Sequence, residues 1–164
     1  MEKVVVKFKK LHPQATPPRY HSSEAAGCDL ATLENLVIQP GEVQMVSLGF
    51  AMDIPQGYWL MIVARSSLYK KGLKLANGVG VVDSDYRGPK DEYRLLLHNF
   101  TSQVVTVSKR ERLAQAVLMP QLTMSFQEVD TLTAPSRGGF AKCQCKELEN
   151  KKISDYRSYR TRYK

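Results

Sequence analysis

Ile54-Pro-Gln-Gly57 followed directly by Tyr58-Trp-Leu-Met-Ile-Val-Ala64 is the stretch on which the fold turns. Proline presets φ at the second turn position and glycine supplies a positive φ where one is needed, so the tetrad reads as a turn. The apolar run after it is too short for a membrane span and rich enough in aromatic and β-branched residues to be a strand. Working outward, the same grammar recurs. Val4 to Phe8, Leu36 to Ile38, Val43 to Met52, Gly80 to Val82, Tyr93 to Leu97, Val104 to Val107, Ala116 to Met119 and Met124 to Val129 all read as strands. Gln39-Pro-Gly41 is a second marked turn. Many short strands at close spacing predict an all-β sandwich, jelly roll or barrel. Helix-favouring composition is confined to Glu111–Ala116 and Lys146–Lys151, both too short to stand alone.

The chain has 164 residues, 43% of them hydrophobic and 24% charged, which fits one globular domain. No apolar run approaches the roughly 20 residues of a membrane helix. Met1 to Lys10 alternates valine and lysine without a signal-peptide core, so an intracellular, cytoplasmic protein is expected. Cys28, Cys143 and Cys145 give no disulfide framework, and Cys143-x-Cys145 would need two further ligands to hold a metal.

The formal charge is +8. Residues 141–164 hold eight Lys or Arg against Glu147, Glu149 and Asp155, so +5 of it belongs to the tail. The body, residues 1–140, is therefore not marked as a nucleic-acid binder. Composition shifts after Phe140, which predicts a boundary there and a disordered extension over 141–164. Tyr156, Tyr159 and Tyr163 among Arg157, Arg160 and Arg162 are residues that single-stranded nucleic acid accepts, and a solvated tail accounts for them equally.

Four segments carry chemistry. Arg65-Ser66-Ser67 ends the Tyr58 strand with a guanidinium and two hydroxyls, donors suited to phosphate oxygens, or simply a snorkelling arginine and two turn serines. Asn77-Gly-Val-Gly-Val-Val-Asp83-Ser-Asp85-Tyr86-Arg87-Gly88 sets glycines where a ligand can approach the backbone and a carboxylate where a base can be held. An ordinary hairpin with an acidic turn has the same look. Arg112-Leu-Ala-Gln115 offers an amide to an anion or to backbone groups. Ser136-Arg137-Gly-Gly-Phe140 can fold over a nucleotide, with Arg on phosphate and Phe on the base, or be a linker.

In order, with Ala25-Ala-Gly-Cys-Asp29-Leu30 ahead of them, these segments resemble the five motifs of the trimeric dUTPase family, over Val4 to Phe140. The resemblance implies a jelly-roll or distorted-barrel homotrimer with sites at subunit interfaces and a flexible C-terminal arm. It also implies hydrolysis of dUTP to dUMP and pyrophosphate with Mg²⁺. Asp83 would activate the water. Arg65, Ser66, Ser67, Gln115 and Arg137 would bind phosphates. Asn77, Gly80, Val82, Asp83, Tyr86 and Phe140 would take uracil and deoxyribose, and Asp29 would meet the metal through water. Pro89-Lys-Asp-Glu-Tyr93 intervenes where the family enters a strand directly, which predicts a local loop. Ala141-Lys-Cys-Gln-Cys stands where the family has small and hydroxylated residues. The alternatives are a dCTP deaminase of the same fold, which needs a glutamate near the base, and a regulator or nucleic-acid-binding protein on that fold.

Overall fold

A computed structural model describes residues 3–136. Eleven strands and one short helix follow one another: β1 (Lys7–Lys10), β2 (Cys28–Ala31), β3 (Leu36–Ile38), β4 (Val43–Ser47), β5 (Phe50–Asp53), β6 (Tyr58–Ala64), α1 (Ser66–Lys70), β7 (Leu73–Leu75), β8 (Gly80–Val82), β9 (Arg94–Asn99), β10 (Val105–Val107) and β11 (Arg112–Pro120). The chain is all-β, as its turns and short apolar runs predict. Every strand pair is antiparallel, in sheets ordered β2-β11-β6-β8 and β4-β9-β7 with two-stranded ladders β1-β5 and β10-β3.

Period-two alternation decides what each strand buries. In β6, Leu60 and Ile62 face the core while Trp59, Met61 and Val63 are only half-buried, so Trp59 is not a core residue of the single chain. In β9, Leu95, Leu97 and Asn99 point inward. The core gathers Leu30, Ile38, Leu48, Phe50, Ile54, Leu73, Leu97 and Leu113 from all the sheets, each side chain contributing about 1.5–3 kcal/mol by leaving water. Asn99 is buried without cost because its amide donates to the Ile38 and Gln103 carbonyls (3.0 and 2.8 Å) and accepts from Thr101.

Several boundaries differ from the sequence expectations. The Val43–Met52 run is two strands, broken at Gly49, which has φ +73. Glu111–Ala116 lies in and just before β11: ladders to β2 on one side and β6 on the other override a helical composition. Met124–Val129 forms no strand; from Ser125, which begins a separate unit, to Ser136 the chain has no regular secondary structure and its side chains are exposed. The helix α1 was not signalled. Leu68 is its one buried residue, and the left-handed Gly72 (φ +80) follows its C-cap Lys71.

Candidate active site

Strand order brings three of the expected residues, Asp29, Arg65 and Gln115, to one face. β11 lies between β2 and β6, with Gln115 opposite Asp29 on one side and Val63 on the other. Cross-strand partners share a face, and Arg65 is two positions beyond Val63. Asp29 therefore meets the guanidinium of Arg65, Nε to Oδ1 at 2.9 Å. Arg112 would point the other way from Gln115 in a regular strand, but the register shifts between Arg112 and Ala114 and turns it back. Its Nη1 donates to Asp29 Oδ2 at 3.0 Å. The carboxylate, only 12% exposed, thus sits between two guanidiniums. Ser66 and Ser67 open α1 with their side chains exposed.

A second group lies on the turn that joins β7 to β8. β7 belongs to the β9 sheet and β8 to the β6 sheet, so the turn links the two sheets and is not a paired hairpin. Its turn is closed by Gly78 N–H to Leu75 O (3.1 Å) and Val79 N–H to Asn77 O (2.8 Å), with Gly78 at φ +70. A cavity of about 170 Å³ beside it is lined by Ile62, Leu75, Asn77, Gly80, Val82 and Leu96. β8 is an edge strand, so one side of its backbone is free to pair with a ligand. A Cβ on Gly80 would stand 3.1 Å from that of Ile62.

Beyond β8, Asp83 and Tyr86 border a larger cavity of about 530 Å³ with Lys90, Glu92, Tyr93 and Arg94. Asp83 is exposed and, among the described residues, has no ion-pair partner. Tyr86 is fixed by donating to the Glu92 carbonyl at 2.9 Å and by an edge contact with Tyr93, ring centres 5.9 Å apart. The expected loop at Pro89–Tyr93 is present and pinned: Asp91 Oδ2 accepts from Gly88 N–H at 2.6 Å. Burial pushes the Glu92 carboxyl up, but hydrogen bonds from Ser47, Arg94 and the Gly49 amide outweigh it and hold the group below the usual carboxylate range. Burial, with the nearby Tyr86 and Asp91, raises the Tyr93 phenol, whose hydroxyl has no partner among the described residues.

Among the described residues, none of these cavities is lined by both groups. Val82 pairs with Leu60, so Asp83 comes level with Trp59, six positions from Arg65; at ~3.3 Å per residue that is roughly 20 Å along β6. Arg137, Phe140 and the whole basic tail, with Cys143 and Cys145, lie outside the described residues. Arg112, Glu92, Tyr93 and Arg94 were not singled out by sequence; Arg112 stood in a quoted motif, but its link to Asp29 depends on the register shift. Among the described residues no set of three or more His, Cys, Asp or Glu could enclose a metal, and no helix is long and apolar enough to cross a membrane.

Residues 14–144 match the family model described as dUTPase. A deoxyuridine 5'-triphosphate nucleotidohydrolase of Nautilia profundicola is 40% identical over 134 residues, 81% of this chain and 92% of the relative. Another from Escherichia phage T5 is 38% identical, covering 83% and 96%. Among solved structures, a dUTPase from Streptococcus mutans superposes with a TM-score of 0.65 at 33% identity, covering 73% of this chain and 98% of that one. The dUTPase of Staphylococcus bacteriophage 80alpha, solved with dUPNHPP, gives 0.75 at 22% identity, covering 84% and 97%, a likeness of fold.

Proposed function

The chain belongs to the dUTPase family, and from that premise we propose that it hydrolyses dUTP to dUMP and pyrophosphate at a site shared between copies of itself. One observation carries the reading: Asp83, exposed and without an ion-pair partner among the described residues, borders a cavity that adjoins the β7–β8 turn and the outer edge of β8. Uracil enters the smaller cavity and pairs with main-chain groups of Asn77 to Val82. A donor and acceptor set that fits uracil mismatches cytosine, and the close approach of Gly80 to Ile62 leaves little width there. Deoxyribose rests on Tyr86, and Asp83 takes a proton from the water that attacks the α-phosphorus. Arg65, Ser66, Ser67 and Gln115 hold the phosphates and offset the charge that develops, joined by Arg137 and Phe140 when the C-terminal arm closes.

The separation of about 20 Å between Asp83 and Arg65, from the strand rise and pairing, exceeds what one triphosphate bridges. The phosphate group of one copy therefore serves the nucleoside group of another, which a closed homotrimer provides. The triphosphate would bring Mg²⁺ with it. Asp29 fits an outer, water-mediated contact with it, because each carboxylate oxygen keeps a lone pair beyond the one used by its arginine. The bound ion spreads the triphosphate charge; orientation and proton removal belong to the side chains named above. The glutamate a deaminase would need has one candidate in the larger cavity, Glu92, and its ties to Ser47, Arg94 and Gly49 keep it from acting as a base. A cytoplasmic location suits an enzyme that removes dUTP from the nucleotide pool.

The test is pyrophosphate release from dUTP, dCTP, dTTP and UTP, with and without Mg²⁺, by the full chain and by Asp83→Asn. Turnover restricted to dUTP and lowered by about 10²–10⁴-fold in the variant is expected. Ammonia release from dCTP, or dUTP binding without turnover, would sink the proposal.

A further inference from the structure

Glu92 lies in the Pro89–Tyr93 loop and has no part in the proposed chemistry, yet its side chain is held from three directions. Oε1 accepts from Ser47 Oγ on β4 and from the Gly49 amide at 3.1 Å, and Oε2 accepts from Arg94 Nε on β9 at 2.9 Å. The side chain is 17% exposed, and a charge so far withdrawn from water persists only where donors satisfy it. Backbone bonds extend the anchoring to the next residue. Tyr93 N–H donates to Phe50 O at 2.9 Å, and Tyr93 O accepts from Leu48 N–H at 3.1 Å. The main chain at Glu92 therefore has little freedom.

What this frame holds is Tyr86. The Tyr86 hydroxyl donates to the Glu92 carbonyl at 2.9 Å, and its ring makes an edge contact with Tyr93. Tyr93 is buried and stacks in turn on Phe50. Tyr86 itself is 42% exposed and lines the larger cavity together with Asp83. An exposed tyrosine ordinarily keeps its hydroxyl in water and changes rotamer freely. Here the hydroxyl is tied to the backbone and the ring is braced against a buried neighbour, so carbon surface is left on the cavity wall. An apolar wall rejects an added hydroxyl by roughly 10²-fold at most, and by less where the wall can move aside.

We propose that Glu92 is a positioning residue for sugar selection: by fixing Tyr86 it keeps the ring against the deoxyribose, so that a ribose 2′-hydroxyl finds no room. The sugar that Tyr86 bears rests on the dUTP reading above; the brace itself rests on Glu92 and its three donors.

The test is calorimetric titration of non-hydrolysable imido analogues of dUTP, UTP and dCTP into the full-length protein, Glu92→Ala, Glu92→Gln, Tyr86→Phe and the Glu92→Ala/Tyr86→Phe double variant. Turnover of dUTP and melting temperature are followed on the same preparations. Preference for the deoxyribose analogue over the ribose one should fall about fivefold to tenfold in Glu92→Ala and in Tyr86→Phe, the effect of one lost hydrogen bond. Preference for uracil over cytosine should be kept. Glu92→Gln, whose amide oxygen still accepts from Ser47 and Gly49, should retain most of the sugar preference. The double variant should lose no more than Tyr86→Phe alone, because Glu92 acts through that ring. Ser47→Ala removes one donor to Glu92 without changing the cavity wall and serves where Glu92→Ala folds poorly; a smaller fall of the same kind is expected. An unchanged sugar preference, additive losses in the double variant, or equal losses of sugar and base preference overturns the proposal. Glu92-dependent sugar preference in a protein without dUTP turnover keeps the brace and overturns the functional reading. Turnover of dUTP with a sugar preference indifferent to these variants does the reverse. No binding of any analogue to the native chain overturns both.

Discussion

Arg65 Nε lies 2.9 Å from Oδ1 of Asp29, and both side chains are largely withdrawn from water. A carboxylate so placed holds the guanidinium in position at the end of β6. Asp29→Asn leaves both Arg65 and Arg112 without a counter-charge. The expected loss is about 2–4 kcal/mol of stability by denaturant unfolding, together with a raised KM for dUTP. An unchanged KM would mean that Arg65 keeps its position without Asp29.

Gly80→Ala tests the proposed base pocket by geometry alone. The added methyl meets Ile62 at 3.1 Å, so β8 must move a few tenths of an ångström away from β6. Affinity for a non-hydrolysable dUTP analogue should fall about tenfold, at a stability cost of ~1 kcal/mol or less. Unaltered affinity would place the uracil elsewhere.

Glu92 gives a pH dependence with a defined sign. Its folded carboxyl lies below the ordinary range, so its contribution is present above the unfolded pKa and is lost as pH falls through the lower, folded value. Thermal melts of Glu92→Gln should therefore sit below those of the native chain near neutral pH. The two curves should converge once the solution is more acidic than about pH 4, the ordinary glutamate range. A constant gap across that range would contradict the assignment.

Tyr93→Phe removes a buried hydroxyl that has no partner among the described residues and keeps the ring on which Phe50 stacks, centres 5.7 Å apart. Deleting an unsatisfied donor while preserving shape costs little or stabilises. The melting temperature should hold or rise. A fall would show that the hydroxyl has a partner in the assembled protein.

The architecture was legible because glycine and proline punctuate short apolar runs, and the β6 run and the Gly80–Val82 strand stand where the pattern put them. Asp83 and Tyr86, whose proposed roles lie within their own segment, could be singled out in the same way. The Asp29, Arg65 and Arg112 cluster could not, because it depends on a register shift and on β2 reaching β11 across more than eighty residues. The five-residue α1 left no periodic trace, being shorter than any window that reveals a helix. Met124–Val129 has strand composition and no strand partner among the described residues. Composition alone does not supply a ladder.

On the proposed sharing of sites between copies, the distance along β6 between Arg65 and Asp83 makes each chain a bearer of two unlike halves, neither of use to the other. Inactivity by mutation is then a property of pairings and not of polypeptides. Chains disabled at Asp83 and chains disabled at Arg65, denatured and refolded as a mixture, should recover dUTP turnover that neither has alone, because some junctions join the intact half of one to the intact half of the other.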